Sequence, residues 1–235
     1  MENPYQPPAA TDEPVAPSVA GLKNPRPYAL VAVWLYGISL VAEIADHLWL
    51  SWVAGSVAPL PKATTSISSA TEPYEEFGEL QYQSHDTYYV DTGIGLLAWV
   101  MIVTGLASCV FYLMWKYRAA VNARILDPSA MTVSPGMAVG SYFIPFVFFV
   151  VPYRAMAGIA RATLGHASGV GVWWACHVSL TLSGIAIGLA VANDTTFKPP
   201  GLLEHLYLVG SVVTFLISAW LVMKITRAQA ARCEG

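Results

Sequence analysis

GMAVGSYFIPFVFFVVP, residues 136–152, is almost wholly apolar yet punctuated by proline and glycine, and how it meets a membrane decides the fold. As a straight helix its 17 residues would reach about 25 Å, against a hydrocarbon core of roughly 30 Å. Pro145 cannot donate to a helical ladder and would crowd the carbonyl of Ser141, at a cost of roughly 3 kcal/mol in a regular helix. Pro135, Gly136, Gly140 and Pro152 add further breaks. The expected form is a re-entrant or shallow segment that enters and leaves on one side, with a kinked full span as the alternative. Charge favours the first form. With a segment that turns back, Lys23, Arg26, Lys116, Arg118, Arg124, Arg154, Arg161, Lys224, Arg227 and Arg232 share one side, leaving Lys62 and Lys198 on the other. A crossing segment would move Arg154, Arg161, Lys224, Arg227 and Arg232 and destroy that asymmetry, the strongest guide to orientation.

On either side of this segment lie four longer apolar blocks, and spans are expected at about 28–58, 92–115, 170–193 and 202–223. Hydrophobic residues make up 55% of the chain and charged residues 11%, where a soluble domain carries roughly 25% charged. The expected fold is therefore an all-α polytopic membrane helix bundle: four spans plus one proline-broken re-entrant or shallow segment. The first block starts at Tyr28, runs too long for a signal-peptide core, contains Glu43 and Asp46, and meets Pro59 beside its best cleavage candidate. It is read as an anchor that stays. Residues 1–27 hold seven of the 16 prolines and are expected to be a disordered cytoplasmic tail. Residues 61–91 are expected to form an acidic outer loop and 227–235 a second cytoplasmic tail, so that both termini face the cytoplasm. The membrane domain as a whole is 28–226. Trp34, Trp115, Trp173, Trp174 and Trp220 near the inner ends of the spans, and Trp49 and Trp52 near the first outer end, agree with indole's preference for the headgroup region. After Pro152, the face Tyr153, Met156, Ile159, Ala160, Leu164 opposes Arg154 and Arg161, which predicts an interfacial amphipathic helix over 153–165.

Between Trp115 and Arg161 the chain resembles the bacterial membrane-protein family named Domain of Unknown Function 4328. Trp115, Tyr117, Arg118 and Asn122 carry the likeness, followed by Ser134-Pro135-Gly136, the aromatic run to Pro145, and Pro152-Tyr153-Arg154-Ala155-Met156. Where family members usually have an Asn after the middle proline and a basic residue before the last, this chain has Phe148 and Val151. The resemblance implies a multi-pass protein of the bacterial inner membrane and brings no activity or catalytic residue with it.

Glu43, Asp46 and His47 stand at i, i+3 and i+4, on one face of the first helix. The expected role is a polar face turned to other helices or a wet interface, because ionisable groups are expensive in hydrocarbon. The competing reading is a metal or proton site: His85, Asp86 and His205 emerge near the same level, and imidazole with carboxylate suits zinc, iron or copper. No spacing here is a metal signature. His177 lies in the other half of the membrane from His47, so the two cannot share a haem iron, and a role between helices is expected for it. Gly184 and Gly188 form a GxxxG that permits close helix approach or a homodimer. Cys109, Cys176 and Cys233 make no disulfide framework.

Lys116, Arg118, Arg124, Arg154 and Arg161 form an inner basic collar that sets topology and is a candidate site for anionic lipids. The basic residues belong to the membrane, which argues against nucleic acid. The chain lacks a phosphate-binding glycine loop and a nucleophile elbow. No cofactor is expected beyond the metal alternative. The function expected is a small non-catalytic membrane module that scaffolds, senses or modulates a protein partner. Its rivals are a transporter or channel subunit using the broken segment, and a membrane metal or redox enzyme.

Overall fold

The computed structural model describes residues 21–56, 85–193 and 201–233, with side chains placed within 21–53, 95–190 and 201–233. Residues 1–20 of the proline-rich tail and most of the acidic loop lie outside the described residues. Six α-helices follow in order: α1 Arg26–Ser56, α2 His85–Leu126, α3 Pro135–Gly140, α4 Val151–Leu164, α5 Val170–Asn193 and α6 Leu202–Cys233. No strand occurs among the described residues. By length and composition, Arg26–Val53, Gly95–Leu126, Val147–Leu164, Val170–Ala190 and Leu202–Cys233 could each cross a membrane. The fold is an all-α membrane helix bundle.

The chain divides into two compact units. Unit 1 holds residues 1–30, 111–174 and 220–235, and unit 2 holds 31–110 and 175–219. Four helices, α1, α2, α5 and α6, each pass from one unit into the other. Helices α3 and α4 do not. The chain enters unit 1 on α2, completes the whole broken segment there, and leaves on α5.

Several boundaries differ from expectation. α2 and α6 run well past 115 and 223 because Ala119, Ala120, Ala123 and Ala230 continue them, and alanine is the strongest helix former while adding little hydropathy. The presumed tail 227–235 is thus helical to Cys233. At the other end, residues 21–27 are ordered, with α1 opening at Arg26, whose N–H donates to Asn24 Oδ1 at 2.9 Å.

The broken segment is built from local turns. Ser134 caps α3 by accepting the Met137 N–H at 3.2 Å, with Pro135 in the first turn where its missing N–H costs nothing. Short 3-10 turns follow at Ser141–Phe143 and Val147–Phe149. Between them the Val147 N–H donates to the Pro145 carbonyl at 2.7 Å while Phe146 sits at φ 63°, ψ −43°. That is a γ-turn of the strained hand, and its aromatic residue is 85% exposed.

Unit 1 centres on α4. Ala155, Met156, Ala157, Gly158, Ile159 and Ala160 are consecutive and all buried, so the helix packs into the unit over more than the one apolar face that its spacing suggests. Tyr153, placed on the expected apolar face, is 37% exposed, while Arg154 and Arg161 stay at the surface. Small residues explain the difference: they read as weakly hydrophobic in sequence, yet they let neighbours close in. α4 ends at Gly165, φ 78°, whose N–H caps the Arg161 carbonyl at 2.8 Å.

In unit 2, hydroxyls bind main-chain carbonyls between α1 and α2: Ser108 donates to Ala32 O at 2.9 Å and Ser39 to Met101 O at 3.3 Å. Tyr36 meets Phe215 edge-on at 5.2 Å beside Gly37. Within the GxxxG, a Cβ at Gly184 would come 3.3 Å from the Tyr207 ring, whereas Gly188 faces open space. Close approach therefore uses one glycine of the pair.

A Cβ at position 158 would lie 2.9 Å from the Ala130 carbonyl oxygen and 3.0 Å from Met131 Sδ. The loop backbone would have to move. Gly158→Ala should therefore lower the thermal midpoint of the detergent-solubilised protein, a net loss of about 1–2 kcal/mol from overpacking despite about 1 kcal/mol gained in helix propensity. An unchanged or raised midpoint would show that the α4 contact is looser than described.

Candidate functional site

The interior of unit 1 is unusually polar for an apolar chain. Asn122 and Gln229 have no exposed surface, and nor do Lys116 and Ser141. Asn122 projects from α2 and binds the main chain ahead of α1 twice: its Oδ1 accepts from Lys23 N–H at 3.1 Å and its Nδ2 donates to Lys23 O at 2.8 Å. The same Nδ2 donates to Gln229 Oε1 on α6 at 3.1 Å. Gln229 Nε2 in turn donates to Ala119 O at 3.1 Å and to Thr163 Oγ1 on α4 at 2.9 Å. The main-chain partners fix which end of each amide is nitrogen. All four N–H donors of the two amides are used. Nearby, Trp115 Nε1 donates to Thr226 Oγ1 at 2.8 Å, and that hydroxyl donates to Val222 O at 2.7 Å. Arg232 donates to Thr163 O at 3.0 Å.

Lys116 occupies an aromatic cage. Its Nζ donates to the Tyr142 hydroxyl at 2.7 Å and to the Pro152 carbonyl at 3.3 Å. It lies 4.5 Å from the centroid of the Tyr142 ring, with the Tyr112 and Trp173 rings at 6.0 and 5.9 Å. Cation–π attraction acts at these distances. The collar is thereby corrected: a fully enclosed Lys116 cannot meet lipid headgroups. Its sequence position beside Trp115 gave no sign of this, because only the fold brings Tyr142 and Pro152 around it. Arg118 is half-buried, with its guanidinium 5.2 Å from the Tyr28 ring centroid and its Nη2 donating to the Tyr28 hydroxyl at 3.4 Å. Arg124, Arg154 and Arg161 are exposed.

A family model described as a domain of unknown function (DUF4328) matches residues 82–231, well over half of the chain. The chain belongs to the DUF4328 family. No curated protein and no solved structure matches it. The DUF4328 match covers every side chain of the amide relay and the lysine cage. Lys23 lies outside it and takes part through its main chain alone. The motif residues now have physical roles: Trp115 ties α2 to α6, Asn122 holds the main chain at Lys23, Pro135 opens α3, Pro145 begins the γ-turn, and the Pro152 carbonyl receives Lys116. Gln229, Thr163, Thr226 and Tyr142 escaped the sequence reading. A glutamine among alanines beyond the last large apolar residue was the one available hint.

The second polar group of this DUF4328 protein lies in unit 2. Glu43 Oε1 accepts from the Ser211 hydroxyl of α6 at 2.9 Å. The His47 and His205 rings meet edge-on with centroids 4.6 Å apart. Asp46 Oδ1 and His47 Nε2 are buried without a hydrogen-bond partner. Glu43 and His47 thus meet α6. The structure brings His47 and His205 together and turns Glu43 to a serine instead. Among the described residues no three His, Cys, Asp or Glu side chains are placed to hold a metal ion. His85 opens α2, and its side chain lies outside the described residues. Outside the spans, Asp127 is held below the usual carboxylate range by the Ser129 hydroxyl and the Ala130 and Ser129 N–H groups.

Two predictions follow from the relay and the cage. Gln229→Ala leaves an Asn122 donor and the Thr163 hydroxyl without their partner, at an expected cost of about 1–3 kcal/mol. A cycle with Asn122→Ala should show a coupling of about 1 kcal/mol in tryptophan-detected unfolding, and strict additivity would contradict a relay. Separately, Lys116→Met should be neutral or stabilising, since replacing a buried charge with an apolar chain of similar length removes its desolvation penalty. Tyr142→Phe should destabilise by about 1–3 kcal/mol by stripping a partner from the retained amine. The opposite order in unfolding midpoints would show that Lys116 is held by something other than the cage.

Proposed function

We propose that the protein is a non-catalytic multi-pass module of the bacterial inner membrane, with both termini cytoplasmic, that modulates a protein partner through a basic inner face. One observation carries this reading. Every lysine and arginine among the described residues belongs to unit 1, and Lys23, Arg26, Arg124, Arg154, Arg161, Arg227 and Arg232 are exposed there. Asp127 is the only carboxylate among the described residues of that unit, and its oxygen is engaged by Ser129 and Ala130. Such a face recruits anionic partners. The polar side chains that could otherwise suggest catalysis, Asn122, Gln229, Thr163 and Thr226, are occupied in internal hydrogen bonds.

The proline and glycine breaks over 135–152, and the ten lysines and arginines that share one side if that segment turns back, support four crossings. Single cysteines at exposed Ser129 and Ser168, in a background lacking Cys109, Cys176 and Cys233, should then behave alike towards an impermeant thiol reagent on intact cells. Both should stay unlabelled until the membrane is opened. Labelling of Ser168→Cys alone would reverse α5 and α6 and sink the topology. For the partner, a photo-crosslinking residue at Arg124 or Arg154 should trap a discrete protein adduct in living cells, and one at Leu182 should not. Equal adducts at all three positions would remove the case for a basic docking face. A transport reading draws on Ser141, whose hydroxyl is buried without a partner at the head of the non-helical stretch. Liposome flux abolished by Ser141→Ala would favour it.

A further inference from the structure

Unit 1 contains a cavity of about 410 Å³ lined by Arg26 and Leu30 of α1 and by Met223, Thr226, Arg227, Ala230 and Ala231 of α6. That size falls within the range of roughly 300–1,000 Å³ typical of ligand pockets. We propose that this cavity is a binding site for one anionic phospholipid, with the headgroup phosphate between the guanidinium groups of Arg26 and Arg227 and the start of an acyl chain along Leu30 and Met223.

The chemistry of the lining selects this occupant. Arg26 of α1 and Arg227 of α6 both line the cavity, and each guanidinium can give a phosphate paired, parallel hydrogen bonds. Among the described residues no carboxylate lines the cavity, and the only carboxylate of unit 1, Asp127, is engaged by Ser129 and Ala130. Thr226 adds no free polarity, since it accepts from Trp115 and donates to Val222. The remaining lining is aliphatic, which suits hydrocarbon and would be wasted on a free phosphate. Position agrees. Arg26 opens α1, and Arg227 lies in α6 about 25 residues after its start, beyond the roughly 20 that a span requires. Lys224 over the Trp220 ring, 4.9 Å from its centroid, places an aromatic and cationic pair one turn earlier, as at a headgroup boundary. The walls are held in place before any lipid arrives: Lys23, three residues ahead of Arg26, is bound twice by Asn122, and Gln229, two residues after Arg227, closes the same relay.

The site differs from the collar of Arg118, Arg124, Arg154 and Arg161, and the difference can be measured. Full-length protein in a neutral detergent is titrated with phosphatidylglycerol, with phosphatidylcholine and with glycerol phosphate, and bound adducts are counted by native mass spectrometry. One phosphatidylglycerol should bind at least tenfold more tightly than phosphatidylcholine, and glycerol phosphate should not bind at the same concentrations. Arg26→Gln with Arg227→Gln should abolish the preference, and Arg154→Gln with Arg161→Gln should keep it. Ala231→Trp, at an exposed rim position, should also abolish it with both arginines intact, which guards against a variant that fails through misfolding. Equal affinity for the two lipids would overturn the proposal. So would retention by the Arg26/Arg227 double variant, equal loss in the Arg154/Arg161 control, or binding of glycerol phosphate as tight as that of the lipid.

Discussion

The amides of Asn122 and Gln229 meet 3.1 Å apart in a position closed to solvent, and four segments distant in sequence converge on them. The residues before α1 arrive through the Lys23 main chain, α2 through Ala119 and Asn122, α4 through Thr163, and α6 through Gln229. Hydrophobic burial alone could not choose this arrangement, because the surrounding Ala119, Ala120, Ala123 and Ala160 would pack nearly as well with the helices slid by a turn. A buried amide left without its partners costs about 1–3 kcal/mol per group. Sliding any one helix would orphan several at once. The relay therefore sets register, and apolar contact supplies the bulk of the cohesion.

A proline-broken segment inside an apolar protein is helped by side chains that donate to carbonyls around the break. Two side chains do so. Trp174 Nε1 donates to Phe149 O at 2.9 Å, and Lys116 Nζ reaches Pro152 O at 3.3 Å. The aromatic run does the packing between: Phe148 lies 5.5 Å from Trp174 and 6.1 Å from Tyr142, ring centroid to centroid. Positive φ at Phe146 is the strain that remains, of order 1–3 kcal/mol for a non-glycine residue, and the enclosed α4 that follows holds it in place. Lys116 thus serves two needs. It donates to a helix-entry carbonyl that also borders the break, and it holds the Tyr142 hydroxyl while the ring face screens its charge.

The class of the fold was legible because the long apolar blocks and the proline at 145 are one-dimensional signals. So was the shared face of Glu43 and His47, a consequence of helical spacing. What stayed hidden depended on small residues and on distance. Alanine carries α2 to Leu126 and α6 to Cys233 without raising hydropathy, so both ends seemed to stop early. The enclosure of α4 rests on Ala155, Ala157, Gly158 and Ala160, which no amphipathic count distinguishes from a surface helix. Lys116 was assigned to the collar by its charge. Its true surroundings come from positions 26 and 36 residues further along the chain.

The distribution of charge makes the two units chemically unlike. Among the described residues of unit 2, acids and histidines occur with no lysine or arginine to neutralise them; in unit 1 cations outnumber the single acid. Within unit 2, Glu43 therefore turns to a neutral donor, Ser211, and His47 to another ring, His205. A hydroxyl satisfies one lone pair of a carboxylate and leaves the rest of its polarity to be met elsewhere. In unit 1 the opposite problem is solved differently, by burying one cation under aromatic faces and leaving most of the rest at the surface. Exposed arginines need an aqueous or anionic boundary, whereas the half-buried Glu43 leans on a neighbouring hydroxyl. The sequence thus assigns each unit its own surroundings, and Arg154 and Arg161 lie in the unit where cations have a place.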